Sequence, residues 1–171
     1  TILDHYLGGT PENKALLNWF RGNKFAGSRD RRAIREIFFK CLRFKRSSLW
    51  PFERAGHPQS GRCLVIGMLL ISNENLSVLF DGKKYSPESV SKIERIVVDS
   101  FKEILCEAPL SVKLDFPAFL ESDLKNSFGK SFLENLNALN ERANLFLRTN
   151  CIKATDEVVI NSLKEEGIEV E

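Results

Sequence analysis

Residues 61–71, Gly-Arg-Cys-Leu-Val-Ile-Gly-Met-Leu-Leu-Ile, are apolar on nearly every face that a helix could present. A segment of this kind cannot lie on a surface with one side in water, so it has to be surrounded. Its uninterrupted apolar run, Cys63 to Ile71, is nine residues long, far short of the roughly 20 needed to cross a bilayer. Nine residues also suit a buried strand. The neighbouring segments carry helical periodicity, however, and the expectation is a helix at the centre of a bundle.

Those neighbours supply the one-sided faces that such a helix needs. Thr1 to Leu7 reads as a short helix broken by Gly8-Gly9. Thr10 is placed as a cap with Pro11 at the first helical position, followed by Ala15, Leu16, Trp19 and Phe20 at helical spacing and Gly22 as a stop. Ser28 then caps a helix on which Ala33, Ile34, Ile37, Phe38, Cys41, Leu42 and Lys45 recur at steps of three and four. Ile37, Phe38, Ile66 and Leu69 are expected to share one core. Residues 47–56, interrupted by Pro51, read as a broken helical turn. Residues 73–86 form a connection with an Asp81-Gly82 turn, and Ser86-Pro87 starts a helix with Val90, Ile93, Val97, Phe101 and Leu105 along one side.

Beyond a linker at Ala108–Leu114 the pattern changes. Asp115 and Pro117 open a helix to Phe128 that Gly129 closes, and Ser131 with Glu134 has capping-box spacing before Leu136 and Leu139. Leu145 to Ile152 reads as a strand, Thr155 to Glu166 as a capped helix stopped by Gly167, and Ile168 to Val170 as the beginning of a second strand. The expected fold class is mainly α: a helical bundle over residues 1–107, then an incomplete α/β module over 108–171. Thr1 as first residue and Glu171 inside an unfinished pattern lead us to expect a piece of a longer protein.

Charge supplies the functional signal. The chain carries a net charge of only +2, yet residues 21–54 hold eleven Lys or Arg against Asp30, Glu36 and Glu53. That is a local excess of eight positive charges, and it leaves an excess of six negative charges on the remainder. Such concentration points to a surface that meets a polyanion. Arg29, Arg31, Arg32 and Arg35 stand at the start of the basic helix and Arg43, Lys45 and Arg46 at its end. Arginine suits phosphate because its planar fork holds two oxygens at once. Two readings of this face remain: a phosphate-binding surface, or a solvated basic face with Asp30 capping the helix or paired to an arginine. Arg148 and Asn150 would share one face of the expected strand, where they could meet an RNA backbone or lie on an ordinary half-exposed strand.

Catalytic chemistry is not legible. Cys41, Cys63, Cys106 and Cys151 form no CxxC pair, and His5 and His57 lie near none of them. They read as reduced, buried thiols of a cytoplasmic protein, and no metal site is expected. Gly61-Arg62 and Gly8-Gly9 lack the context of a nucleotide-binding loop.

Lys24-Phe25-Ala26-Gly27-Ser28-Arg29-Asp30-Arg31-Arg32-Ala33-Ile34-Arg35-Glu36, followed by Phe38 and Leu42-Arg43, resembles the N-terminal region of the Sun/Fmu-type ribosomal RNA cytosine-5 methyltransferases. Gly61-Arg62, the run Phe80-Asp81-Gly82-Lys83-Lys84-Tyr85-Ser86-Pro87, Pro117-Ala118-Phe119-Leu120, Phe128-Gly129, Leu136 to Asn140 and Leu147-Arg148-Thr149-Asn150 follow in the family's order. The chain departs from it at Phe119, Asn144 and Thr149, where the family usually has Trp, Pro and Val. The resemblance implies a domain similar to the antitermination factor NusB over 1–107 and the start of an RRM-like module over 108–171. The Rossmann-type methyltransferase domain would lie beyond Glu171. It implies S-adenosylmethionine-dependent methyl transfer to cytosine C5 of ribosomal RNA by the intact protein, with ribosomal RNA and its own C-terminal domain as partners. In the family the cofactor loop and the Pro-Cys and Thr-Cys cysteines lie in that later domain. None of the four cysteines here follows Pro or Thr, so no catalytic residue and no cofactor site is assigned to this chain. Two rivals stand beside this reading: a stand-alone NusB-like RNA-binding or antitermination factor, and a protein-interaction domain whose basic face docks an acidic partner. No membrane partner is expected.

Overall fold

A computed structural model of the chain describes residues 1–143 and 145–170; Asn144, one of the positions where the resemblance departs, and Glu171 lie outside the described residues. The fold is mainly α. The chain divides into two compact units, Thr1–Asn140 and Glu141–Glu171.

In the first unit α1 (Ile2–Leu7), α2 (Glu12–Gly22), α3 (Ser28–Arg43), α4 (Lys45–Arg54), α5 (Gly61–Ile71), α6 (Leu76–Leu79), α7 (Lys92–Asp99) and α8 (Phe101–Cys106) surround one core. The all-apolar segment is α5, and Leu64 and Ile66 are wholly enclosed. Its nearest neighbour is α4. A Cβ on Gly67 would lie 2.3 Å from the Ser48 carbonyl oxygen and 2.7 Å from Ser48 Cα, so the two backbones touch where side chains would normally separate them. The expected broken turn at 47–56 is instead the regular helix α4, with Pro51 inside it and buried. Burial of Leu49, Pro51 and Phe52 against α5 and α8 outweighs the hydrogen bond that proline removes.

Two carboxylates fix the start of α5. Asp4 on α1 accepts the Gly61 N–H at 2.6 Å, one of the donors a helix start leaves without a partner, and the Ser60 hydroxyl accepts that of Cys63. Arg62 pairs with Glu94 of α7 at 2.6 Å, donates to the Glu88 and Ser89 carbonyls at 3.0 Å and lies over the Phe80 ring. Arg62 is therefore a structural cation that ties α5 to the segment preceding α7. That segment is irregular: α7 begins at Lys92 behind a Ser91–Glu94 capping box, and not at Ser86-Pro87.

Other expectations shift by a turn or a face. Pro11 is the cap of α2, and Gly27 that of α3. Ile37 is 51% exposed, whereas Phe38 and Ile66 are buried and Leu69 is half-buried. The stripe that enters the core is Ile34, Phe38, Cys41 and Leu42. Ile37 flanks it, because steps of three and four define a face about 100° wide and not its centre. Of the cysteines, Cys41 and Cys63 are buried and Cys106 and Cys151 are exposed. Burial pushes the Cys41 thiol up to about 12, so it packs as a small apolar group at neutral pH.

Residues 108–140 add α9 (Leu110–Lys113), α10 (Glu121–Phe128) and α11 (Phe132–Asn140) around a smaller core of Phe116, Phe132 and Leu136. Gly129 ends α10 with φ +51, as its position anticipates. In the second unit, α12 (Asp156–Glu165) is capped by the Thr155 hydroxyl and stopped by Gly167 at φ +77. The strands expected at 145–152 and 168–170 are not formed, and among the described residues no strand occurs. A strand exists only in a ladder with a partner, and these two short segments make none with each other. Leu145, Phe146 and Ile152 stand 84%, 89% and 97% exposed.

Truncation at enclosed positions tests this core. Phe38→Ala should cost about 3–5 kcal/mol and Ile66→Ala about 2–5 kcal/mol in urea melts, while Ile37→Ala should cost about 1 kcal/mol or less. Gly67→Ala should destabilise by about 3 kcal/mol even though alanine is the better helix former, because α4 blocks the added methyl. A neutral Gly67→Ala would show that the two helices do not approach this closely.

Candidate nucleic-acid interface

The basic segment folds as the end of α2, a tight turn, α3 and the start of α4. Asp30 turns back to accept the Gly27 N–H at 3.0 Å. It thus caps α3 rather than pairing with an arginine.

Arg31 is held in place: its Nε donates to the Ala26 carbonyl at 2.8 Å, and its guanidinium lies 5.3 Å from the Phe20 ring centroid. Arg35, one turn further on, is exposed on the same side of α3. Together with Leu17, Phe20 and Arg21 of α2 and Lys24 of the turn, these two arginines line an open cleft of about 390 Å³. Four cations around an apolar floor form a surface that favours an anion carrying an apolar face. Arg29 and Arg32 project outward from α3, and Arg32 lies 3.9 Å from Glu36.

The remaining expected cations are elsewhere. Arg43, at the far end of α3, is separated from Arg32 by roughly 16 Å of helix at about 1.5 Å per residue. It is half-buried, with its Nε enclosed. Lys45 sits 4.8 Å from the Tyr6 ring centroid, and Arg46 is exposed at the start of α4. The structure therefore gathers Arg31 and Arg35 with Arg21 and Lys24, and leaves Arg43, Lys45 and Arg46 as a separate group at the α3–α4 junction. Arg148 and Asn150 belong to the second unit. Both are exposed, and Asn150 closes a turn by accepting the Ile152 N–H at 3.1 Å, so the shared strand face expected for them is not formed. Arg21 and Lys24 were visible only as members of the charge excess, since their periodicity places them in no stripe.

The junction group is anchored by a residue the sequence did not single out as functional. Phe44, the cap of α4, offers no side-chain acceptor. Asp115 does so from 69 residues away: one oxygen accepts the N–H groups of Arg46 and Ser47 at 2.7 and 3.0 Å, and the other accepts the Ser47 hydroxyl. Asp115 adopts φ +55, a conformation that Asp tolerates better than most residues. Its burial raises the carboxyl from 3.8 to about 6, against the pull of those donors. Asp4 and Glu94 are shifted the other way, each lowered to about 2, Asp4 chiefly by its hydrogen bond with Thr1 and Glu94 by that with Arg62.

Residues 116–171, about a third of the chain, match a family model described as the ferredoxin-like domain of RsmF/B-like methyltransferases. This match supports a relation to those methyltransferases. It does not extend to the bundle or to the basic cleft. No curated protein and no solved structure matches the chain. Among the described residues no helix is long and apolar enough to cross a membrane, and no group of three or more His, Cys, Asp or Glu could hold a metal ion.

The opposed carboxyl shifts give a pH signature. Between about pH 4 and 6 folded Asp115 binds more protons than its unfolded counterpart, so its contribution to stability falls as the pH rises through that window. Asp4 and Glu94 contribute fully above the ordinary carboxylate range, and their contribution is lost as the pH falls toward about 2. In urea midpoints measured from pH 3 to 8, Asp115→Asn should lose the decline between pH 4 and 6 and keep the acid loss. An unchanged profile would mean that Asp115 is not the group titrating there.

Proposed function

We propose that the first unit is the RNA-binding part of an S-adenosylmethionine-dependent ribosomal RNA cytosine-5 methyltransferase. The observation that carries this reading is the cleft between α2 and α3, where Arg21, Lys24, Arg31 and Arg35 converge on a chain of nearly neutral net charge. Burying apolar surface requires none of these cations except Arg31, so phosphate contact gives the other three a role. The family match of residues 116–171 supports methyltransferase chemistry for the protein to which this unit belongs. On this reading the basic surface positions a cytosine, and methyl transfer occurs on the protein's own catalytic domain in the cytoplasm.

The cofactor does not fit the residues in hand. S-adenosylmethionine carries a sulfonium cation, and four cationic side chains around the cleft would repel it. Neither buried cysteine presents a thiolate: burial raises both Cys41 and Cys63. On this reading the unit contributes RNA binding and not the methyl-transfer chemistry.

Reversal of the free cations tests the reading without disturbing Arg31. The triple variant Arg21→Glu, Lys24→Glu and Arg35→Glu should remain folded by circular dichroism and lose affinity for a ribosomal RNA fragment. Its log–log salt slope in fluorescence anisotropy should be shallower by roughly two units, at about 0.7 per lost phosphate contact on a single strand. Lys164→Glu on α12 should leave both unchanged. A folded triple variant with unaltered affinity and slope would remove the cleft as the RNA surface and favour docking of an acidic protein instead.

A further inference from the structure

Phe25 stands in the turn between α2 and α3, next in sequence to Lys24 of the cleft, and is 81% exposed. Its ring contributes little to the core. It is nonetheless held: the Trp19 ring meets it edge-on at 6.2 Å between centroids, and Trp19 in turn packs against Phe20, which floors the cleft. The following residue, Ala26, is buried, and its carbonyl accepts from Arg31, which anchors the far side of the turn. A large aromatic face is thus presented to solvent on a braced turn, flanked by cations that suit phosphate.

Resting on the reading of this surface as an RNA interface, we propose that it takes an unpaired nucleotide of single-stranded RNA, with the base stacked on Phe25 and the adjoining phosphate held by Lys24, Arg21 and Arg35. In a duplex the base faces are occupied by their neighbours, and only phosphates, sugars and groove edges are offered. An exposed ring beside a phosphate cleft finds its complement in an unstacked base, which presents a π-face and a phosphate within one nucleotide of each other. The apolar floor of Leu17 and Phe20 also suits a base or ribose face better than a row of solvated phosphates. Phe25 is then the residue that confers preference for unpaired RNA, and the cations supply affinity that is indifferent to strandedness.

The experiment measures binding of the 171-residue chain to a fluorescent single-stranded RNA, to a blunt-ended two-strand duplex of matched charge and, by competition, to a nucleoside monophosphate. Wild type should prefer the single strand, and the monophosphate should compete only at far higher concentration. Phe25→Ala should weaken single-strand binding roughly 5- to 140-fold, the range for loss of one base–aromatic stack. Duplex binding and the salt slope should not change, because no phosphate contact is lost. Phe25→Trp should restore affinity and Phe25→Leu should not, which separates stacking from bulk. Equal binding of single strand and duplex by wild type, unchanged single-strand binding by Phe25→Ala, or full rescue by leucine would each overturn the proposal while leaving the RNA reading in place. Competition by the monophosphate at the concentration of the RNA itself would assign the site to a free nucleotide and overturn it as well. Wild type that binds neither RNA would remove the RNA reading and this inference with it.

Discussion

Gly67 lets the backbone of α5 rest on that of α4 at Ser48, and most of the first unit is arranged around that approach. With a side chain of any size at Gly67 the helices would have to separate, and Leu64, Ile66 and Phe52 would lose the walls that enclose them. Because α4 occupies this side, Pro51 can sit inside a helix, and α1 and α3 pack on other sides of α5. The same logic recurs at the start of α5. A Cβ on Gly61 would lie 2.6 Å from the Thr1 hydroxyl and 2.9 Å from Leu3 Cβ, so the absence of a side chain there admits α1 and brings Asp4 to the helix end.

Both central helices begin without a full set of local acceptors, and both receive carboxylates from remote segments. Asp4 reaches α5 across 57 residues and Asp115 reaches α4 across 69. A carboxylate at a helix N-terminus satisfies orphan donors and meets the positive end of the helix dipole. These contacts also fix the chain's path: Asp115 joins the stretch after α9 to α4, within the compact unit Thr1–Asn140. Arg62 and Glu94 perform a similar closure between α5 and α7, and the hydrogen bond from Arg62 holds the Glu94 carboxyl near 2 against the opposing effect of burial.

The cations divide by the same criterion of what they touch. Arg31, Arg62 and Lys45 each lie over an aromatic ring, and the first two also donate to backbone carbonyls. Their charge is part of the architecture. Arg21, Lys24 and Arg35 surround a cleft, and Arg29 and Arg32 point away from the helix. Positive charge that serves no packing role is thereby concentrated at one end of α3, beside an exposed ring that the core does not use.

Periodicity and composition by themselves determined a helical bundle around residues 61–71, the helix α3 with its basic flank, and the stops at Gly129 and Gly167. Each of these follows from local rules: apolar on all faces requires enclosure, and a glycine with positive φ ends a helix. Tertiary structure decided what local rules leave open. It chose Phe38 over Ile37 for the core, because only the position of α5 picks one flank of a wide apolar stripe. It made a helix of the Pro51 segment and left residues 145–152 without a ladder, because burial and strand pairing are set by distant partners. It separated one charge-rich segment into a cleft and a junction, since neighbours in sequence on a helix face different directions. And it assigned Asp115 to the start of α4, a pairing across 69 residues that no local pattern encodes.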